Sequence, residues 1–295
     1  MAKDFLQKNM HVHQDRGIKI TFTIIFTVFS ALLLFPFFWI ILNSFKNGYD
    51  EFSANSWGLP QKFIFENYTT LFTLETTNIS FIDMFVNTLM LCLIVPTCGQ
   101  ISTILAAYVM AKYKFHGQKI LYAVYLLPML VSITGTITST FLLLESWGML
   151  YNMWGIIVMS CGGTGFNFLM MYSLFKSVND AYMESARIDG AGHLRTFFQI
   201  MLPHVMGLVG TMWILGFIGV WNDYTTPAVF LGSDYFTIAT GVKAIGDLVE
   251  SADDAMSLNY PAYFASVIIS LVPVVTIFLA FQKQIMKMSL GGGIK

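Results

Sequence analysis

Met183-Glu-Ser-Ala-Arg-Ile-Asp-Gly190, followed by Ile200-Met-Leu-Pro203, is a polar interruption between two long apolar stretches. Ser177, Asn179 and Asp180 precede it as candidate N-caps, and Ser177 with Asp180 has capping-box spacing. A helix is expected from about Ala181, with Met183, Ala186 and Ile188 along its apolar side. Gly190 and Gly192 permit a sharp reversal that a residue with a side chain would resist. A second short helix from about Leu194 is expected to turn Phe197, Phe198, Met201 and Leu202 toward whatever lies above it. Pro203 restricts the backbone of Leu202 and marks the start of the next apolar stretch.

Outward from this loop the chain belongs in hydrocarbon. Apolar residues make up 56% of it and charged residues 11%, where a soluble domain carries about 25% charged residues. Six stretches of roughly 20 residues can cross a bilayer as helices: 18–42, 81–110, 120–144, 151–175, 204–222 and 260–282. The first is too long for a signal-peptide core, and no small-residue cleavage site follows it. The expected fold is therefore an all-α integral membrane protein with six transmembrane helices. It divides into residues 1–80 (N-terminal tail, first span and outer loop), a core 81–283 holding the loop 177–203, and a tail 284–295.

Charge orients these spans. Lys3, Lys8, Arg16, Lys19, Lys112, Lys114, Lys119, Lys176, Arg187, Arg195, Lys283, Lys287 and Lys295 fall on one side, 13 of the 16 basic residues. Basic residues stay cytoplasmic, so both termini and the Glu184 loop are expected inside. The other side collects 12 of the 17 carboxylates, among them Asp50, Glu66, Asp223 and Asp253, which solvate outer loops or form a docking surface for an extracytoplasmic partner. Cys92, Cys98 and Cys161 all fall within expected spans; they suit packing rather than a disulfide framework.

The spacing of Glu184, the small residues Ser185 and Ala186, Asp189-Gly190-Ala191 and Ile200-x-Leu202-Pro203 resembles the cytoplasmic EAA loop of ABC importer membrane subunits. That loop docks a short helix into a cleft on the ATPase. Ser185 departs from the alanine of the family's name, a small-for-small change. Further motifs look like carbohydrate-importer permeases of the maltose-transporter type: Phe85-Val-Asn-Thr-Leu89, Ala106-Ala-Tyr-Val-Met-Ala-Lys-Tyr-Lys-Phe115, Trp221-Asn-Asp223 and the terminal Leu290-Gly-Gly-Gly-Ile-Lys295. An outer Pro60-x-x-Phe63-x-x-Glu66-Asn-Tyr68 also fits. The resemblance implies a bacterial inner-membrane permease working with a second homologous permease, two ABC ATPase subunits and an extracytoplasmic sugar-binding protein. It implies a di- or oligosaccharide as solute, moved by alternating access. ATP and magnesium would be bound by the partner ATPase, and this chain would carry no cofactor. The family's C-terminal residues reach into the ATPase dimer; the matching positions are Gly291, Gly292, Gly293 and Ile294.

Polar and glycine-rich features inside spans are costly in lipid and should face the interior. Gly162-Gly-Thr-Gly165-Phe-Asn167 is a flexible break of the kind tolerated beside a water-filled cavity. Aromatic faces suit a sugar's C–H surface and amides suit its hydroxyls. Asn87, Phe166, Asn167, Trp221, Asn222 and Tyr224 are the candidate solute-path residues. Small residues in spans also serve helix packing, and Trp or Tyr near a span end also serves the interfacial belt. The longest outer connection, 224–259, matches the family loop that approaches the binding protein, with 232–236 and 246–254 as its docking stretches.

Several chemistries are missing. No Gly-x4-Gly-Lys-Ser/Thr phosphate loop or His-Glu-x-x-His pair occurs. No catalytic or metal-ligating residues are assigned; His11-Val-His13 lies in a basic tail, and Asp50 and Asp247 fall in outer loops rather than mid-span. The sequons at Asn67 and Asn78 read as chance matches. The same architecture could carry another small polar solute. A membrane enzyme or sensor would need a polar catalytic set within the spans, and nothing suggests nucleic-acid binding.

Overall fold

A computed structural model describes residues 2–73, 80–130, 133–232, 235–251 and 259–291, with side chains omitted at 2–16, 73, 133–134, 251 and 284–291. Its regular elements are helices, with no strand among the described residues. In order they are α1 (Ala2–Ser44), α2 (Gly48–Ala54), α3 (Glu66–Thr73), α4 (Phe81–Lys112), α5 (Gln118–Leu126), α6 (Ile133–Ser146) and α7 (Met153–Ser160). There follow α8 (Phe166–Ser177), α9 (Ala181–Ile188), α10 (His193–Thr196), α11 (Leu202–Asn222), α12 (Thr225–Phe230), α13 (Ile238–Ser251) and α14 (Tyr260–Gly291).

Four of these runs are long and apolar enough to cross a membrane: Gly17–Ser44, Phe81–Lys112, His193–Asn222 and Tyr260–Lys283. The third and fourth expected spans are each broken into two shorter helices. Pro128 sits in a 3-10 turn, Leu127–Met129, that ends α5; a proline ring cannot continue the helical ladder. Gly163 (φ +54°) and Gly165 (φ +73°) separate α7 from α8. The two breaks meet, because the Gly165 N–H donates to the Tyr125 carbonyl at 2.8 Å. That bond answers a polar group freed by the breaks, as a low-dielectric interior requires.

The chain forms two compact units, 1–71 with 246–269 and 72–245 with 270–295. In the first, Trp39 packs edge-on against Phe264 (centroids 5.3 Å) and Phe52 stacks on Tyr260 (5.2 Å). Asn67 caps the end of α1 by donating from Nδ2 to the carbonyls of Ser44 (2.8 Å) and Lys46 (2.9 Å). The sequon at Asn67 therefore carries a buried amide already spent on the fold. Asn78 lies outside the described residues.

The second unit is organised around α4. Ser80 starts this helix with a capping box, its Oγ accepting from Ile82 and Asp83 while Asp83 accepts from the Ser80 N–H. Against α4 lie α8 and α11, the latter so closely that a Cβ on Gly216 would stand 3.2 Å from the Pro96 Cβ. One buried cluster unites Ile104, Tyr108 and Met110 of α4, Phe168, Met171 and Phe175 of α8, and Val205 and Met212 of α11. Met183, Phe197 and Met201, from the polar loop itself, belong to the same cluster.

Candidate functional site

The loop that decided the fold from sequence is a helix anchored on one side and bare on the other. α9 begins at Ala181, as expected, but its first turn is capped by Asn179, whose Oδ1 accepts from the Ala181 N–H at 3.0 Å. Ser177 turns back to the Leu174 carbonyl (2.7 Å), so the expected Ser177–Asp180 box does not form. Asp180 serves a different purpose. It pairs at 2.6 Å with Lys112 in the last turn of α4, and the same ammonium donates to the Val178 carbonyl at 2.6 Å. The bonded ammonium of Lys112, with its charge, holds the Asp180 carboxyl below its ordinary value. Lys112 was legible from sequence only as a topological charge; its grip on a residue 68 positions away depends on the fold.

The helix ends in a complete glycine cap. The Gly190 N–H donates to Arg187 (3.0 Å) and the Ala191 N–H to Ala186 (2.9 Å), with Gly190 left-handed at φ +74°. These are the two bonds of a Schellman motif, which satisfy carbonyls left open at a helix end. Met183 and Ala186 are buried, whereas Glu184, Ser185, Asp189 and Gly190 are exposed. Ile188, expected beside Met183 and Ala186, is instead 87% exposed. The helical period explains this, since residue 188 lies about 140° around the axis from residue 183.

The second arm differs more. α10 passes through a π-helical turn, Phe197–Met201, directly into α11, and together they form one run, His193–Asn222. Leu202, whose backbone Pro203 restricts, is helical at φ −63°, ψ −45°. Pro203 lacks the N–H that the continuous run would otherwise use, and the wider π turn before it supplies room for its ring. Phe197 and Met201 are buried as expected. Phe198 is exposed, because adjacent helical residues diverge by about 100°. Ile200 is half-buried, and its carbonyl lies 2.6 Å from His204 Nδ1.

The six solute-path candidates fall into two groups. Asn87 donates from Nδ2 to the Phe236 carbonyl at 3.1 Å, and buried Trp221 donates from Nε1 to Ser270 at 3.1 Å. Trp221 also stacks on Phe217 and meets Phe85 edge-on. These two polar atoms are engaged inside the protein. Phe166 and Asn167, the first two residues of α8 after the break, are exposed, as are Asn222 and Tyr224 at the far end of α11. Asn222 Nδ2 is bonded within its own helix, to Ile218 at 2.8 Å.

The long connection 224–259 contains α12 and α13, pinned by the Ile238 N–H on Thr88 Oγ1 at 2.8 Å. Within its expected docking stretches, 233–234 and 252–254 lie outside the described residues. So do Gly292, Gly293 and Ile294 of the tail, while Gly291 closes α14. Among the described residues no cluster of His, Cys, Asp and Glu could hold a metal ion.

Comparison with known proteins places this architecture. Residues 99–287 match the family described as binding-protein-dependent transport system inner membrane component. The chain is 28% identical over 260 residues to the diacetylchitobiose uptake system permease protein NgcG of Streptomyces coelicolor, covering 88% of this chain and 83% of that one. It is 28% identical to the maltodextrin transport system permease protein MalD of Streptococcus pneumoniae, over 90% and 91% of the two chains. Its fold is similar, at TM-score 0.79 and 21% identity, to a crystallised bacterial ABC transporter involved in the import of the acidic polysaccharide alginate, covering 92% and 97% of the two chains. A second structure, of an alginate ABC transporter in complex with an alginate pentasaccharide-bound periplasmic protein, gives 0.66 at 20% identity over 90% and 93%.

Proposed function

Because the chain belongs to the family of binding-protein-dependent transport system inner membrane components, we propose that it is a membrane-embedded permease subunit of an ATP-driven sugar importer. Several relatives are oligosaccharide transport permeases, including the galactooligosaccharides transport system permease protein GanQ and the arabinooligosaccharides transport system permease protein AraQ of Bacillus subtilis. A di- or oligosaccharide is therefore the proposed solute. The third and fourth of six spans are each built from two helices set end to end, and both termini face the cytoplasm with the Glu184 loop.

The observation that carries this reading is the construction of α9. Its underside is buried, Met183 in the cluster with α4 and α8 and Ala186 beside it, while Glu184, Ser185 and Ile188 are exposed and can meet another protein. A load applied to such a helix cannot be absorbed by a floppy loop. Lys112 transmits it to α4, and the run His193–Asn222 carries it to the far end of α11. An ATPase that moves α9 thus moves both helices, which is what alternating access needs. ATP and magnesium would reside in that ATPase, two copies of which would serve this chain and a second permease. Phe166, Asn167, Asn222 and Tyr224 offer the exposed aromatic and amide groups for a sugar, with Asn87 and Trp221 holding the scaffold behind them. The tail from Gly291 to Ile294 would reach the ATPase, and the 224–259 connection would meet the sugar-binding protein.

The experiment is to purify the chain from its native membrane with its associated subunits and measure ATP hydrolysis with a panel of sugar-loaded binding proteins. Expected is co-purification of a second permease and an ATPase, with hydrolysis stimulated by at least one di- or oligosaccharide. Purification of the chain without an ATPase would overturn the reading.

A further inference from the structure

Beside the loop lies a cavity of about 530 Å3 that the transport reading leaves unused. It is walled by Leu105, Val109 and Tyr113 on one side and His193, Leu194 and Phe197 on the other, with Lys114 at its rim. We propose that this cavity binds the headgroup of an anionic phospholipid, with an acyl chain running along α4.

Three observations meet there. The first is depth. The cavity starts within the membrane-competent run Phe81–Lys112 and ends just past it at Lys114, the level at which a span leaves hydrocarbon for the headgroup layer. Phenol rings settle at that level, and the Tyr113 hydroxyl is there, 2.9 Å from His193 Nδ1. The second is charge. Lys112 is neutralised by Asp180 at 2.6 Å, and the charge of Lys114 also acts on this already paired Asp180. Lys114 itself is exposed and lines the cavity. A lysine at the mouth of a pocket beside transmembrane helices favours an anionic headgroup over a neutral one. The third is an apolar track. Ile101, Leu105 and Val109 are all exposed, at 55%, 46% and 43%. Their i, i+4, i+8 spacing places them on one line of α4, about 12 Å long. That line leads into the cavity from the membrane interior. A soluble anion would use the charge and leave the track empty; a lipid uses both.

Lipid at this site would touch α10, whose His193 and Leu194 open the run into α11, so headgroup identity would bear on the loop without contacting sugar or nucleotide. The inference rests on the membrane embedding and not on the solute. Loss of sugar-stimulated hydrolysis with lipid retention intact would sink the importer reading and leave this one standing.

The test is native mass spectrometry of the purified complex after exchange with phosphatidylglycerol or phosphatidylcholine. Wild type should retain phosphatidylglycerol preferentially, and Lys114→Ala should lower that retention about fivefold, the worth of one basic residue at an anionic surface. Phosphatidylcholine retention should be unchanged, and Leu105→Trp, which blocks the track, should lower phosphatidylglycerol retention independently. Equal retention of the two lipids by wild type, or undiminished phosphatidylglycerol on Lys114→Ala, overturns the proposal. Should Lys114→Ala fail to assemble, a photoreactive benzoylphenylalanine at position 105 decides. An adduct with phosphatidylglycerol supports the site, and an adduct with a partner permease or ATPase shows a protein interface instead.

Discussion

Gly163 and Gly190 have almost the same sequence setting, each in a glycine pair or near-pair between two helices, and both are left-handed, at φ +54° and +74°. Their surroundings are opposite. A Cβ on Gly163 would stand 2.5 Å from the Ser102 Oγ and 2.7 Å from the Thr103 backbone nitrogen. A Cβ on Gly190 would meet nothing within 4 Å. One glycine is required because two helices touch at it, the other because a helix must turn at it in open space. The first is a matter of assembly and the second of the angle presented to a partner. A glycine at a span break therefore signals packing as readily as a cavity.

Leucine at position 163 should have the largest effect. Backbone atoms of α4 cannot retreat as a flexible side chain would, so Gly163→Leu should cost roughly 3 kcal/mol or more by overpacking added to backbone strain. The chain should disappear from purified complexes. Normal yield in detergent would erase the contrast with Gly190.

Gly190→Pro comes next. Proline fixes φ near −65° and removes the N–H that donates to Arg187. We expect an inserted, assembled protein whose uptake is lost, whereas Gly190→Ala should cost only about 1 kcal/mol and leave partial uptake. Uptake at the wild-type rate in Gly190→Pro would show that the turn's angle is irrelevant to its partner. Glu184→Lys should leave chain level and thermal stability intact, because the side chain is exposed. Coupling of hydrolysis to uptake should fail, and a charge-reversed base on the ATPase surface should restore it.

Smaller effects probe the edges of the same comparison. Asn167→Leu, one turn beyond the packed glycine, removes an exposed amide; loss of one hydrogen bond to sugar should raise the apparent KM roughly threefold to tenfold. An unchanged KM across a panel of sugars would assign the entire break to packing. The smallest concerns Asp180. Its carboxyl value is lowered by Lys112, so what the pair contributes is fully present above the unfolded carboxyl value and is lost as pH falls from there through the folded one. Protection of amides 181–188, taken relative to the intrinsic exchange rate at each pH, should fall progressively as pH drops from the ordinary carboxylate value through the lowered one. Asp180→Asn should remove that acid limb, and a limb surviving the substitution would reassign it to another group.

Much of the loop was legible in the sequence because its signals are local. The start at Ala181, the glycine cap and the burial of Met183, Ala186, Phe197 and Met201 follow from short-range chemistry and periodicity. Ile188 and Phe198 were misjudged by hydrophobicity alone, against the angles that the helical period imposes. The break at 162–165 was legible from its glycines, whereas the one in 120–144 was not, because hydropathy averages over Pro128, whose backbone effect is stronger than its weight in an apolar window. The engagement of Asn87, Trp221 and Lys112 could not be read at all, since each bonds to a carbonyl or carboxylate far along the chain.

The π turn at Phe197–Met201 has a mechanical meaning. The run of 30 residues is about 45 Å long, so His193 and Asn222 stand at opposite ends of one helical element. A π turn holds one residue more than an α turn, and shortening it to α geometry would rotate one end against the other by about 100°. The same shaft can then be stroked without turning, or turned in place. Because Phe197 and Met201 are buried in the cluster with α4 and α8, turning would require that cluster to repack. The resting design is a piston whose crank is locked.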